Sequence, residues 1–267
     1  MVRAIVAGAG GRMGGRIIAI INQTDGIELA AAFERPDSPV VGKDAGLVAG
    51  LEKLGVKIED DLDAVIDKGD VIIDFTFHEA SVRHAQKASE KGRAMVIGTT
   101  GFSADEYKAL DEYSNRFPLV LAPNMSVGVN LLYKLLETAA TVLGDDYDVE
   151  IIEAHHRMKK DAPSGTALQL GRVVAKALGR NFDEVAVFER HGLIGERSKK
   201  EIGIQTIRAG DIVGEHTVLF GGIGERIEII HRASSRDTFA KGAVRAALWI
   251  VGKPAGRYSM QDVLGLS

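Results

Sequence analysis

The sequence predicts an α/β protein with two domains: an N-terminal doubly wound parallel sheet, then a smaller α+β domain with a mixed, largely antiparallel sheet. Over about the first 125 residues, short β-branched runs alternate with helical stretches, as they do in parallel sheets covered by helices. From about Asp148, strand-like runs follow one another with turns between them and one clear helix, which indicates a different sheet.

The elements are predicted in chain order from these patterns. In the first region the strands are Arg3–Ala7, Glu28–Phe33, Val71–Phe75, Ala94–Ile97 and Leu119–Ala122, and the helices are Arg12–Gln23, Glu79–Lys91, Ala104–Phe117 and Val127–Leu143. In the second region the strands are Val149–Ala154, Ile202–Arg208, His216–Phe220 and Arg226–Arg232, and the helix is Gly165–Leu178. A final helix spans Asp237–Val251, and the polar segment Arg190–Lys200 is predicted to be a mobile surface loop.

Composition limits the classes of protein. The 267 residues are 45% hydrophobic, which is enough for one large core or two modest ones. A net charge of −4 argues against a general nucleic-acid binder, and the absence of cysteine excludes disulfides and thiolate chemistry. We find no stretch of about 20 apolar residues and no signal peptide, so we expect a cytoplasmic enzyme with no membrane partner.

A glycine-rich turn follows the first predicted strand. The turn and the first helical residues are Gly8, Ala9, Gly10, Gly11, Arg12 and Met13. Glycines let the backbone approach a pyrophosphate, whose charge then lies at the helix N-terminus. The spacing is Gly8-x-x-Gly11-x-x-Gly14, and Met13 occupies the third glycine position of the usual G-x-G-x-x-G pattern. Between a strand and an amphipathic helix, this turn predicts a Rossmann-like dinucleotide site rather than a purely structural turn.

An acid and a base end the second predicted strand. Glu34 lies twenty residues after Gly14, where a carboxylate accepts hydrogen bonds from ribose hydroxyls. That carboxylate would repel the 2′-phosphate of NADPH, whereas Arg35 could bind it, unless Arg35 is an ordinary solvated charge. The pair predicts a site for NADH or NADPH and leaves the preference between them open.

Two more loops follow predicted strands, at the edge where open α/β sheets bind ligands. One contains Gly98, Thr99 and Thr100, and the other contains Ala122, Pro123, Asn124 and Met125. Either loop alone would fit ordinary turn chemistry equally well. Together with the glycine turn, they are predicted to line the cofactor site.

Basic residues concentrate at the end of the strand Val149–Ala154. His155, His156, Arg157 and Lys159 precede a Ser-Gly-Thr turn at 164–166 that opens a predicted helix, with Ser164 as its N-cap. A helix N-terminus suits a carboxylate or phosphate. Adjacent strand residues point to opposite faces, so the two histidines are not expected to chelate one metal, and we predict no metal site. The segment favours an enzyme that holds and protonates a small anion.

The run from Glu153 to Ala167 contains every fixed position of E-x-H-H-x-x-K-x-D-x-P-S-G-T-A. It resembles the signature of the 4-hydroxy-tetrahydrodipicolinate reductases, and the resemblance extends nearly end to end. It implies reduction of 4-hydroxy-tetrahydrodipicolinate to tetrahydrodipicolinate by NADH or NADPH, with loss of water, in diaminopimelate and lysine biosynthesis. It also implies a homotetramer that assembles through the second-domain sheets.

The resemblance implies roles for individual residues. His155 and Lys159 are expected to transfer protons, while His156, Gly165 and Thr166 hold a substrate carboxylate. Arg236 is predicted as a further substrate contact, with an ion pair to Asp237 as the alternative. Residues 1–126 and 237–267 would then form the dinucleotide-binding domain, and residues 127–236 the substrate-binding and oligomerisation domain.

The chemistry leaves some questions open. After hydride transfer the electron-rich intermediate takes up a proton, and either a His or a Lys with a pKa near the operating pH can supply it. Two other classes also fit the residues: a dehydrogenase of another anionic amino or sugar acid, and a non-catalytic dinucleotide sensor. A sensor would not need His155, His156 and Lys159 together, and the resemblance argues against another substrate.

Overall fold

The computed structural model describes residues 1–266, which fold into two compact units. The first unit comprises Met1–Val127 and residues 236–266, and the second comprises Gly128–Ser235. That the first unit binds the dinucleotide and the second unit binds the substrate stays a prediction.

The strands alternate with helices only in the first unit. In chain order the strands are β1 (Val2–Ala7), β2 (Ile27–Phe33), β3 (Ile58–Glu59), β4 (Val71–Asp74), β5 (Ala94–Ile97), β6 (Pro118–Leu121), β7 (Asp148–His155), β8 (Ala186–Val187), β9 (Ile202–Arg208), β10 (Gly214–Gly221), β11 (Arg226–Ala233) and β12 (Gly256–Tyr258). The helices are α1 (Arg12–Ile21), α2 (Ala45–Val48), α3 (His78–Lys91), α4 (Ala104–Ser114), α5 (Val127–Leu143), α6 (Gly165–Ala177), α7 (Phe182–Val185), α8 (Asp237–Ile250) and α9 (Met260–Leu264).

The sheet of the first unit is parallel, with the strand order β12-β6-β5-β4-β1-β2-β3. From β1 the chain moves outward through β2 and β3, then returns to β4 on the other side of β1. The direction of winding therefore reverses between β1 and β4, and a crevice opens at their carboxyl ends. The predicted doubly wound Rossmann-like sheet is confirmed.

Each face of this sheet has its own core. Along β1, Ala4 and Val6 belong to one apolar cluster, while Ile5 and Ala7 belong to the other. Successive strand residues point to opposite faces, so a strand buried on both faces is apolar along most of its length. Helices α1 and α8 pack together on one face, and α3 and α4 pack together on the other. The continuous apolar runs in the sequence follow from this burial.

The sheet of the second unit is mixed, as predicted, with the order β11-β10-β7-β9-β8. β10 pairs antiparallel with β11 and β7, whereas β9 pairs parallel with β7 and β8. The antiparallel ladders join more residue pairs than the parallel ones, so the prediction of a mixed, largely antiparallel sheet is confirmed. Helices α5 and α6 cover one face, with Leu136 and Leu170 packed against Ile151 and Phe220.

The structure corrects several predicted elements. α4 ends at Ser114 instead of Phe117, because a residue before a proline avoids helical conformation and Pro118 begins β6. α1 ends at Ile21 instead of Gln23. The segment 190–200 was predicted to be a mobile loop. Its residue Arg190 instead forms ion pairs with Glu150 at 2.8 Å and with Glu201 at 2.6 Å, which hold the segment. Within residues 1–266, no helix combines the length and apolar character needed to cross a membrane.

Candidate active site

The turn after β1 has the tight geometry that a dinucleotide cradle requires. Gly8 has φ +67°, and a Cβ there would lie 2.9 Å from Thr76 Cγ2. A Cβ on Gly14 would lie 2.1 Å from the carbonyl oxygen of Gly8, so α1 can approach the turn only with glycine at that position. The predicted glycines therefore hold the start of α1 close against the end of β1, which is where a pyrophosphate would bind.

Glu34 turns its carboxylate toward the glycine turn. Its Oε2 accepts a hydrogen bond from the Gly10 N–H at 3.0 Å, and its Oε1 accepts one from the Arg35 N–H at 3.1 Å. The Arg35 side chain is 73% exposed and lies 3.3 Å from Asp37. The acid is thus fixed by the backbone, whereas the guanidinium is exposed and forms a surface ion pair with Asp37.

Glu34 and Arg35 line a cleft of about 550 Å³ at the carboxyl ends of β1, β2 and β4. Gly8 and Gly11 form part of its wall, and α3 contributes Arg83, His84 and Lys87. The sequence analysis missed these three side chains. Their spacing on α3 puts them on one helix face, but nothing in the sequence shows that this face borders the cleft.

A buried acid organises the loop after β4. Asp74 Oδ1 accepts hydrogen bonds from the Thr76 hydroxyl at 2.6 Å and the Ser81 hydroxyl at 2.9 Å, and His84 Nδ1 binds Oδ2 at 2.6 Å. Burial would raise the pKa of Asp74, but the hydrogen bonds from His84 and Thr76 outweigh it, so that pKa lies below its ordinary value. Thr99 Oγ1, 2.9 Å from Ser81 Oγ, belongs to the same network.

Some residues of the two loops that were predicted to line the cofactor site lie in one pocket. A second pocket of about 210 Å³ is lined by Met13, Phe75, Gly98, Pro123, Asn124, Met125 and Phe239. A Cβ on Gly98 would lie 2.2 Å from the Phe75 ring, so this position requires glycine. Of the other predicted cofactor residues, Arg12 and Thr100 are exposed, whereas Ala9 and Ala122 are buried in the core.

In the second unit, β7 ends in a histidine held by a carboxylate. His155 is buried, and its Nδ1 lies 2.5 Å from Glu153 Oε2. Glu153 is fully buried and also binds the guanidinium of Arg208 on β9, at 2.8 and 2.9 Å. His156 lies past the strand end and is half-buried. The adjacent histidines therefore differ in environment, one within the sheet and one beyond its end.

Lys159 lies in the loop between β7 and α6. Its ammonium group is 2.9 Å from Asp161, and its side chain is 21% exposed. Arg208 donates to the carbonyl oxygen of Asp161 at 2.7 Å, so β9 also holds this loop. The cluster that looks strongly basic in the sequence is thus partly neutralised by Glu153 and Asp161.

The predicted anion-binding turn forms the start of α6. Ser164 is the N-cap, and its hydroxyl oxygen accepts from the Ala167 N–H at 3.2 Å. Gly165 is exposed, and a Cβ there would have no neighbour within 4 Å, while Thr166 is half-buried. The helix start therefore has open space in front of its backbone, as a bound carboxylate would need.

Arg236 is the N-cap residue of α8 in the first unit. The neighbouring Asp237 carboxylate binds Arg16 on α1 at 2.5 Å. The alternative prediction for Arg236, an ion pair with Asp237, stays a prediction. The predicted substrate contact of Arg236 stays a prediction.

His216 was not predicted as a site residue, but it lies beside His155. Because it is buried, we expect the free energy of unfolding to decrease in acid. The two rings are 5.3 Å apart, and burial and the charge of His155 lower the pKa of His216 to about 3. An unfolded imidazole titrates near 6.5, so the unfolded state takes up the proton first as pH falls. Stability should then fall below about pH 6.5 by up to about 1.4 kcal/mol per pH unit from this group.

Urea unfolding between about pH 7 and pH 5 measures this dependence. The free energy of unfolding of His216→Gln should fall less steeply with decreasing pH than that of the wild type. Parallel pH dependences would contradict the buried neutral state of His216.

A Rossmann-like sheet with a glycine turn, an acid after β2 and a separate cluster of His155, His156 and Lys159 is typical of a pyridine-nucleotide oxidoreductase. Two family models match the chain, "Dihydrodipicolinate reductase, N-terminus" over residues 2–125 and "Dihydrodipicolinate reductase, C-terminus" over residues 128–264. The chain belongs to the dihydrodipicolinate reductase family, as the signature predicts.

Relatives match the whole length. A 4-hydroxy-tetrahydrodipicolinate reductase of Syntrophus aciditrophicus is 61% identical over 265 residues, covering 99% of each chain. One of Geotalea daltonii is 56% identical over 266 residues, covering 100% of each chain.

Solved structures show the same fold in enzymes of different chemistry. Dipicolinate-bound dihydrodipicolinate reductase from Paenisporosarcina sp. TG-14 is similar with a TM-score of 0.78 and 24% identity, covering 98% of each chain. An amine dehydrogenase from Mycobacterium smegmatis is similar with a TM-score of 0.60 and 17% identity, covering 97% of this chain and 95% of that one. The fold alone therefore does not fix the substrate.

Proposed function

We propose that the protein reduces 4-hydroxy-tetrahydrodipicolinate to tetrahydrodipicolinate with NADH or NADPH, releasing water, in diaminopimelate and lysine biosynthesis. The observation that carries this proposal is the full-length identity of 61% to a relative named for this reaction. The proton-donor cluster and the open helix start of the second unit support it, because a dicarboxylate substrate needs both a proton and an anion site.

The residues of the first unit fit a reduced nicotinamide dinucleotide. Its pyrophosphate would lie against Gly10, Gly11, Arg12 and Met13, and Glu34 would bind the adenosine ribose. The other loop residues, from Gly98 to Thr100 and from Ala122 to Met125, would border the nicotinamide. Bound there, the cofactor supplies the hydride.

The second unit supplies the proton and holds the substrate. His156, Gly165 and Thr166 hold one carboxylate of the substrate at the start of α6. Arg236, a residue of the first unit, is proposed as a further substrate contact. His155 or Lys159 delivers one proton to the electron-rich end of the conjugated system. The substrate gains a hydride and a proton and loses water, so the atoms and charges of the reaction balance.

Arg35 is expected to bind the 2′-phosphate of NADPH. It lines the same cleft as Glu34 and is exposed, whereas Phe77, a neighbour in that cleft, offers no charge. Arg35→Ala should therefore weaken NADPH binding by about 1.5–3 kcal/mol, the range for a charge-assisted hydrogen bond, and leave NADH binding nearly unchanged. Fluorescence titration with both cofactors measures the difference. Equal losses would show that Arg35 does not contact the phosphate.

A homotetramer is proposed to form through the open face of the second unit's sheet. Ile152 and Ile230 both pair with Thr217, so they share this face, and they are 37% and 43% exposed. Exposed apolar side chains in one patch are typical of subunit interfaces. A monomeric mass in sedimentation equilibrium would contradict this assembly. The cytoplasmic location also stays a prediction, which cell fractionation tests.

The proposal is tested by a coupled assay in which the substrate is generated enzymatically in the cuvette. We expect oxidation of NADH or NADPH only while the substrate is being formed. Oxidation with another anionic amino or sugar acid, and none with this substrate, would favour the alternative dehydrogenase. Cofactor binding without any turnover would favour a sensor.

A further inference from the structure

Glu153 is a fully buried carboxylate that contacts both parts of the proposed substrate site. Its Oε2 lies 2.5 Å from Nδ1 of His155, and its Oε1 accepts the backbone N–H of Ser164 at 3.0 Å. One carboxylate thus joins the end of β7, which carries the proton donor, to the start of α6, which forms the anion-binding turn.

We propose that Glu153 is a positioning residue: it keeps the proton of His155 on Nδ1, so that Nε2 is the nitrogen that exchanges a proton with the substrate. This inference rests on the proposed function. The tautomer of an imidazole is set by the hydrogen bond of its other nitrogen, and a carboxylate that can only accept fixes Nδ1 as the donor. The same contact sets the orientation of the ring relative to the Ser164 turn.

Arg208 keeps this carboxylate ionised and in place. Its guanidinium binds both oxygens of Glu153, at 2.9 and 2.8 Å, and also the carbonyl oxygen of Asp161 at 2.7 Å. Burial would raise the pKa of Glu153, but the hydrogen bonds from His155, Arg208 and the Ser164 N–H outweigh it and lower that pKa to about 2. Glu153 therefore stays an acceptor over the pH range in which an enzyme works.

The groups around Nε2, the second ring nitrogen of His155, leave it available for proton transfer. A Cβ on Gly214 of β10 would lie only 3.1 Å from this nitrogen, so glycine gives the ring its space. His216, also on β10, faces His155 edge-on and is neutral because its pKa is lowered to about 3. His216 therefore carries no charge that would act on His155 in competition with Glu153.

The first test reads the tautomer in the wild-type protein without substrate. Imidazole ¹⁵N chemical shifts distinguish a proton on Nδ1 from one on Nε2, and we expect neutral His155 to carry it on Nδ1. A proton predominantly on Nε2 would overturn the proposal. This readout needs no variant and no turnover, so it is independent of the substrate assignment. An absence of turnover in the wild type would instead refute the proposed function.

The second test compares Glu153→Gln with Glu150→Gln. Glu150 lies on the same strand and is also ion-paired to arginine, but it contacts Arg190 and Arg197 instead of the proposed site. We expect Glu153→Gln to lower kcat by about 10- to 100-fold, to change KM less, and to produce a mixture of His155 tautomers. Glu150→Gln should leave kcat and the His155 spectrum unchanged. A folded Glu153→Gln protein with wild-type kcat would overturn the positioning role.

Discussion

Replacing Lys159 by alanine is expected to lower kcat by about 10²–10⁴-fold, the usual effect of losing a positioned proton donor. The Lys159 ammonium is held by Asp161 at 2.9 Å, in the loop that connects His155 to the predicted anion-binding turn. NADH affinity should change little, because the proposed cofactor residues that bind the pyrophosphate and ribose belong to the first unit. Steady-state kinetics and a separate cofactor titration measure the two effects.

Lys160→Ala is the matched control, because it removes the same group from the adjacent, exposed position. It should retain the kinetics of the wild type. If Lys159→Ala also stays within a few-fold of wild-type turnover, Lys159 is not the proton donor, and the role passes to His155.

Replacing Gly165 by valine is expected to weaken binding of pyridine-2,6-dicarboxylate by about tenfold or more. This planar compound carries two carboxylates like those of the substrate. A Cβ at Gly165 meets no protein atom within 4 Å, so the fold should accept the side chain, which would instead occupy the space in front of the helix N-terminus. Loss of one charge-assisted hydrogen bond costs about 1.5–3 kcal/mol, which corresponds to at least a tenfold change.

Calorimetry measures the dicarboxylate affinity, and thermal unfolding and NADH titration serve as controls. Both controls should match the wild type, because the substitution lies in open space. Unchanged dicarboxylate affinity in a folded Gly165→Val protein would show that the anion binds elsewhere.

The first unit could be predicted from sequence because its signals are local. The strands of its sheet are apolar runs buried on both faces, and Gly8, Gly11 and Glu34 follow their strands at recognisable spacings. The small strand Gly256–Tyr258 could not be predicted, because three residues carry no periodic pattern. Likewise, no local signal shows that the face of α3 carrying Arg83 and Lys87 borders the cleft lined by Glu34.

The second unit was less predictable because its site depends on strand pairing. Glu153 and Arg208 are 55 residues apart and meet only because β7 and β9 are parallel, with Thr206 opposite Glu153. The signature identifies Glu153 but cannot show that its partners are His155, Arg208 and the Ser164 N–H. The division of this sheet into antiparallel and parallel pairs has the same origin, since short apolar runs do not specify their neighbours.

The most direct test of the account follows the hydride itself in a single turnover. Reduced cofactor deuterated at the transferable C4 position is mixed with enzyme and freshly generated 4-hydroxy-tetrahydrodipicolinate, and the product is analysed by mass spectrometry. We predict tetrahydrodipicolinate that carries one deuterium from the cofactor, formed in step with cofactor oxidation. Cofactor oxidation without deuterium in this product, or no oxidation at all, would contradict the assignment as a reductase of this substrate.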